Sequence, residues 1–305
     1  MKTILIGKRK SKVHLGDFAQ VFDAGKGSFK GFVKSLPHIL VAEDLRKFTE
    51  DVARSHKRGK PFIVMMGAHV VKVGLAPLLI DLVKKNVITC IAMNSAAAIH
   101  DVETAMWGKT SEDVEENLQD GTFGMSRQTG EFINGTLRCA SNQDDCGYGE
   151  ALGEALQRAP HRVYSILATC YAKNIPVTVH AAIGTDIIHQ QPTMDGGATG
   201  EMSFRDFKVL CNVVKDLNGG VVMNIGSAVI LPEVFLKALT VARNLGYKAR
   251  GFTAANFDMI QHYRSRLNVV ARPTKGDGKG YLFTGHHEIM IPLVFAMIKE
   301  RLRLR

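Results

Sequence analysis

Short runs rich in Val, Ile and Met recur along the chain, each closed by Gly or a small polar residue and followed by a stretch with helical spacing. PFIVMMGAH (61–69) precedes LAPLLIDLVKKN, and ITCIAMNSAA (88–97) precedes IHDVETAM. The same order returns in IPVTVHAAIGTD (175–186) and in GGVVMNIGSAV (219–229) before ILPEVFLKALTVARNLG. It returns again in ARGFTAANFD (249–258) and in GYLFTGHHE (280–288) before IMIPLVFAMIKERLRL. Runs that are apolar throughout, rather than alternating, predict strands covered on both faces, and roughly 10 to 15 helical residues between them predict parallel pairing. The expectation is an α/β, Rossmann-like, mostly parallel sheet of six strands with helices on both faces.

Two segments depart from this grammar. Residues 1–42 are irregular and rich in Gly and Lys, as in DAGKGSFKGF, and read as an N-terminal arm. Residues 110–173 carry helical spacing only, and their acidic run SEDVEENLQD opens with a Ser and acids suited to a helix start. That stretch reads as a helical insertion between the second and third strands. Without an internal repeat or interdomain linker, residues 1–305 read as a single domain.

Composition narrows the class. With 46% hydrophobic and 22% charged residues over 305 positions, the chain buries enough surface to need no disulfide staples. Cys90, Cys139, Cys146, Cys170 and Cys211 form no CxxC pair and are odd in number, so neither a disulfide framework nor a zinc knuckle is indicated, and a reducing cytoplasm suits them. No run reaches the roughly 18 apolar residues of a membrane span. The formal charge of +10 is dispersed, with small concentrations at Lys8, Arg9, Lys10, Lys12 and at Arg301, Arg303, Arg305. No aromatic-interleaved basic stripe accompanies it, so neither nucleic acid nor membrane is expected as a partner.

In open parallel sheets ligands bind outside the carboxyl ends of the strands, where helix amino termini converge. The residues at those ends are Gly67, His69 and Lys72; Asn94, Ser95, His100 and Asp101; His180, Gly184, Thr185, Asp186 and His189; Gly226 and Ser227; Asn256 and Asp258; and Thr284, Gly285, His286, His287 and Glu288. Each also has a plain structural role open to it: a helix cap for Asp or Asn, a tight turn for Gly, a satisfied buried ring for His. Neither GxGxxG nor GxxxxGK[ST] occurs; NSAAA is the nearest small-residue turn. Imidazoles and carboxylates are competent metal ligands, but HExxH is absent and no metal site is assigned.

From Lys60 to Met297 the sequence resembles deoxyhypusine synthase and its bacterial relatives. The segments that carry the likeness are GAHVVKVGLAPLLIDLVKKNVITCIAMNSAAAIHDVE, RVYSILATCYAKNIPVTVHAAIGTD, GGVVMNIGSAV, TAANFD and HHEIMIPLVFAMI. The resemblance implies an NAD-binding Rossmann-like fold, a homotetramer, and transfer of the aminobutyl group of spermidine, a polyamine. It places cofactor contacts at Gly67, His69, Asn94, Ser95, Ala96, Gly226, Ser227, Thr253, Ala254 and His286, and substrate contacts at Asp258, His189 and Glu288. Where the family has an imine-forming lysine, MIQHYRSRLNVVAR offers Arg266, which stays protonated and cannot form an imine. The family's glycine triplet becomes Gly226, Ser227 and Ala228, its glycine pair Ala96 and Ala97, and its polyamine-binding histidine falls near Leu231.

These readings lead to an NAD- or nucleotide-binding enzyme acting on a small amine or polyamine-like metabolite without lysine-imine chemistry. His100 or His287 would move the proton, with Asp101 or Asp186 orienting it. Two alternatives stand beside this: a non-catalytic ligand-binding or assembly protein on the same fold, and a metal-dependent hydrolase using strand-tip histidines.

Overall fold

The computed structural model describes residues 1–143 and 146–304. Arg305, one of the terminal basic residues, and positions 144 and 145 of the helical stretch lie outside the described residues. All six expected strands form: β1 (Phe62–Met66), β2 (Cys90–Asn94), β3 (Val177–His180), β4 (Val221–Ile225), β5 (Thr253–Asp258) and β6 (Lys279–Thr284). They make one sheet in the order β3-β2-β1-β4-β5-β6, and every pairing is parallel. This is the doubly wound order, in which the chain reverses direction across the sheet between β1 and β4 and opens a crevice there. β6 departs from the expected full burial: it is the outer strand, and only Tyr281 and Phe283 face inward.

The helices are α1 (Phe29–Ser35), α2 (Leu40–Lys57), α3 (His69–Lys72), α4 (Ala76–Lys84), α5 (Ser95–Trp107), α6 (Val114–Asp120), α7 (Arg127–Ser141), α8 (Tyr148–Ala155), α9 (Ile166–Ala172), α10 (Gly196–Val214), α11 (Ile230–Asn244) and α12 (His287–Leu302). The two-residue period of a strand sends alternate side chains into two cores. Phe62, Val64 and Met66 of β1 face α2, α4, α5 and α12, whereas Ile63 and Met65 face Leu210 and Val214 of α10 and Phe235 and Leu239 of α11. Among the described residues, four α-helices, α6 to α9, occupy the 110–173 stretch. Its first cap is Asp113, whose carboxylate accepts from the Glu116 N–H at 3.1 Å, rather than Ser111.

Regular structure begins earlier than the sequence suggests. α1 and the start of α2 fall inside the arm, and residues 1–28 are mostly exposed. The cause is Arg46, buried on α2, whose guanidinium donates to the carbonyls of Val33 (3.0 Å), Leu36 and Pro37 (2.8 Å). It thereby satisfies the orphan end of α1. Arg46→Ala is expected to free residues 29–39, seen as new proteolytic cleavage there while the sheet's amide protection is unchanged.

Candidate functional site

The strand order settles which candidates can meet. Asp186 follows β3 and Asp258 ends β5, with three strands between them, so at about 4.8 Å per strand they stand roughly 19 Å apart. The candidates therefore divide into two groups along one edge.

The first group lies at the β1–β4 reversal. Gly67 follows β1 and Gly226 follows β4, and their backbones touch: a Cβ on Gly67 would lie 2.5 Å from the Gly226 carbonyl. Gly226 has φ +63°, and a Cβ there would lie 2.5 Å from Cε1 of His287. His287 opens α12 and is 1% exposed. Its Nε2 donates to the Phe257 carbonyl at 3.1 Å, which leaves Nδ1 as a lone-pair acceptor, and Nδ1 is buried without a partner. Burial lowers the pKa of this ring below the usual histidine value, despite the opposing pull of the Phe257 carbonyl and Asp258. His69 lies beside it, the two ring centroids 5.6 Å apart. Ser227 accepts from the Leu231 N–H at 3.2 Å and so caps α11. Asp258 is 7% exposed.

The second group surrounds a cavity of about 760 Å³ at the carboxyl ends of β1 to β3. α5 supplies one wall through Ala96, His100, Glu103 and Trp107; Asp186 and Lys72 come from the loops and helix after β3 and β1. Thr110 joins His100 to Glu103: its hydroxyl donates to Glu103 Oε2, and its oxygen lies 2.6 Å from His100 Nδ1. A hydroxyl has one proton, so Thr110 must accept from His100, which fixes that ring as the Nδ1–H tautomer and leaves Nε2 as an acceptor. Thr129 adds a second donor to Glu103 at 3.1 Å. Burial pushes the Glu103 carboxyl upward, but the nearby His100 ring, 3.7 Å away, and the hydrogen bonds of Thr110 and Thr129 outweigh it and hold Glu103 below its ordinary value. A carboxylate thus backs an imidazole through a hydroxyl, an arrangement able to take up a proton at Nε2.

Other candidates are placed in supporting roles. Asn94 caps α5 by accepting from the Ala97 N–H at 3.0 Å, and Ser95 donates to Asp186. His189 Nδ1 accepts from the Gly184 and Asp186 N–H groups, each at 3.2 Å, while its Nε2 is buried unpartnered. Asp101 turns away from the cavity: it is fully buried and binds Ser165 Oγ (2.6 Å) and the N–H groups of Ile166 (2.8 Å) and Leu167 (3.1 Å), capping α9. It cannot orient His100. Thr253 and Ala254 begin β5, about 16 Å from the edge where β5 ends, and Thr253 bonds Asp51 at 3.4 Å instead. These two cannot contact a ligand at the carboxyl edge. His286 and Glu288 are exposed on opposite sides of the inward His287 and approach each other at 3.7 Å. Among the described residues no three His, Cys, Asp or Glu side chains gather as metal ligands. Sequence reasoning missed Glu103, Trp107 and Thr110; the i, i+3 spacing of His100 and Glu103 on IHDVETAM was the available signal.

Fit to a nicotinamide dinucleotide rests on two observations. The buried, unpartnered Nδ1 of His287 can accept from a donor such as a ribose hydroxyl, and the cavity along the same sheet edge is of ligand size.

No protein-family model and no curated protein matches the sequence. Among solved structures, a putative deoxyhypusine synthase from Entamoeba histolytica superposes with TM-score 0.54 over 91% of this chain and 96% of its own, at 11% identity. The α/β, Rossmann-like fold is therefore similar to that of this putative deoxyhypusine synthase. A conserved putative LOR/SDH protein from Methanococcus maripaludis S2 matches with TM-score 0.52 and 17% identity, over 92% of this chain and 72% of its own. The cyanobacterial arginine dihydrolase ArgZ matches with TM-score 0.52 and 15% identity over 85% of this chain, and this chain spans 31% of ArgZ. AgrE, solved in complex with ornithine and NAD+, matches with TM-score 0.52 and 12% identity, over 85% of this chain and 32% of AgrE. No helix among the described residues is long and apolar enough to cross a membrane.

Proposed function

We propose that this protein is an NAD-dependent enzyme that oxidises a carbon bearing nitrogen in a small amine, without lysine-imine chemistry. The observation that carries this reading is His100, fixed by Thr110 and Glu103 at the wall of the cavity at the carboxyl ends of β1 to β3, with no partner for Nε2 among the described residues. NAD, when bound, supplies the hydride acceptor. His287 Nδ1 would hold it, at the turn that the close approach of Gly67 and Gly226 leaves room for, and His286 stands where the resemblance places a ribose contact. The amine enters the cavity as an ammonium; His100 Nε2 takes one of its protons, and the freed nitrogen lone pair can then form the C=N bond as the neighbouring C–H pair leaves. Glu103 stabilises the imidazolium through Thr110. Support also comes from AgrE, which shares the fold and was solved with ornithine and NAD+. A homo-oligomer, tetrameric by the family resemblance, and a cytoplasmic location complete the proposal.

Isothermal titration with NAD and absorbance at 340 nm with a panel of amines test it. The expected result is saturable NAD binding and amine-dependent reduction. His100→Ala is expected to lower turnover about 10²-fold or more. Thr110→Ser is expected to retain turnover and Thr110→Val to lose it, with loss of the His100 Nδ1–H signal in ¹⁵N spectra. NAD binding without reduction by any amine would favour the non-catalytic alternative; no NAD binding would sink the reading.

A further inference from the structure

The cavity wall carries both signs of charge, and the two signs are treated differently. Its carboxylates have donors inside the protein: Glu103 from Thr110 and Thr129, Glu112 from the Gly124 N–H (2.9 Å) and Asn117 (2.8 Å), and Asp186 from Ser95. Lys72 and Lys109 line the same cavity and have no ion-pair or hydrogen-bond partner among the described residues. Three anions and two cations face one space, so a ligand of one sign meets repulsion from part of the wall, whereas a zwitterion can set its carboxylate on the two unpaired lysines and its ammonium toward the acceptors of the wall. We propose that the cavity takes an α-amino acid rather than a polyamine, with the carboxylate on Lys72 and Lys109 and the ammonium against His100 Nε2. This assignment rests on the amine-oxidising reading of the same site and names its substrate class.

L-Ornithine and putrescine differ by one carboxylate, which makes them a direct probe. Isothermal titration of the full chain, with and without saturating NAD, is expected to show L-ornithine at least tenfold tighter than putrescine. A Lys72→Ala/Lys109→Ala double variant is expected to erase that gap by weakening L-ornithine while putrescine binding stays level or improves, with the melting temperature reporting that the variant is folded. Should the double variant fail to fold, Lys72→Met and Lys109→Met are taken singly, each expected to close part of the gap. Putrescine or spermidine binding as tightly as L-ornithine overturns the assignment. So does an absence of binding by all of L-ornithine, L-alanine and L-glutamate. NAD binding with equal affinity for L-ornithine and putrescine ends the amino-acid assignment and leaves the cofactor reading standing; amino-acid binding without NAD binding does the reverse.

Discussion

Asp206→Asn is expected to leave the protein as stable as its parent near pH 4 and to make it more stable by a margin that widens from pH 5 to pH 8, whereas Asp206→Ala is expected to cost about 3 kcal/mol or more. Asp206 sits on α10, 1% exposed. One carboxylate oxygen accepts from the Val179 N–H at 2.6 Å and the Gly149 N–H at 2.9 Å. Val179 lies on β3, the outer strand opposite β6, so Asp206 occupies a backbone donor that an edge strand would otherwise present unpaired. Burial pushes the carboxyl up to about 8, against the pull of those two N–H groups. A folded-state pKa above the unfolded value means that the native state keeps a proton the unfolded chain releases. The contribution to stability is therefore complete below about pH 4 and is lost as pH rises through about 8, by at most about 1.4 kcal/mol per pH unit. Asparagine keeps the acceptor oxygen and removes the titration. Alanine strands two buried N–H groups, which asparagine does not. Urea melts of the three proteins at pH 5, 6.5 and 8 check this, and a parent whose stability climbs from pH 5 to 8 in step with Asp206→Asn would refute it.

His180 works on the opposite side of the pH scale. Burial lowers its pKa to about 3, so its contribution is complete above the unfolded value near 6.5 and is lost as pH falls toward 3. Among the described residues its side-chain partner is Thr178 at 3.0 Å, an uncharged group on the same strand. Asp206 and His180 flank the same outer strand and penalise departures in either direction.

The strands were readable because burial on both faces leaves no polar residue in PFIVMM or CIAM, and the parallel order follows from the helices between them. The site was readable only as a location. Gly67 and Gly226 follow their strands directly and His287 comes three residues after β6, so placing the strands placed them. Asp101 was misjudged because its partners, Ser165 to Leu167, are more than sixty residues away in the chain; a carboxylate one position past His100 gives no sign that it faces a distant helix end. Thr253 was misjudged for a different reason, since a motif match carries no statement about which end of its strand faces the crevice, and only the boundary at Thr253 decides it. Thr110, outside any strand–helix unit, becomes visible only when the chain after α5 folds back on His100.

Gly226→Ala is expected to cost about 2 to 4 kcal/mol and to abolish dinucleotide binding together, while Gly219→Ala costs about 1 kcal/mol and leaves binding intact. Both glycines have positive φ, +63° and +73°, so both alanines carry the same backbone penalty. They differ in surroundings. Around Gly219 nothing lies within 4 Å of a new Cβ, whereas at Gly226 it would meet three atoms of the His287 ring, the nearest at 2.5 Å. That ring cannot move away cheaply, because Nε2 is bound to the Phe257 carbonyl and the side chain is packed into the first turn of α12. Displacing it breaks the bond that fixes the tautomer and turns the free Nδ1 out of the crevice. The two substitutions thus separate the strain of a left-handed backbone from the loss of the acceptor. Thermal melts and NAD titrations on the pair give the answer: equal destabilisation with equal NAD affinity would show that His287 and the β1–β4 crevice take no part in holding the cofactor.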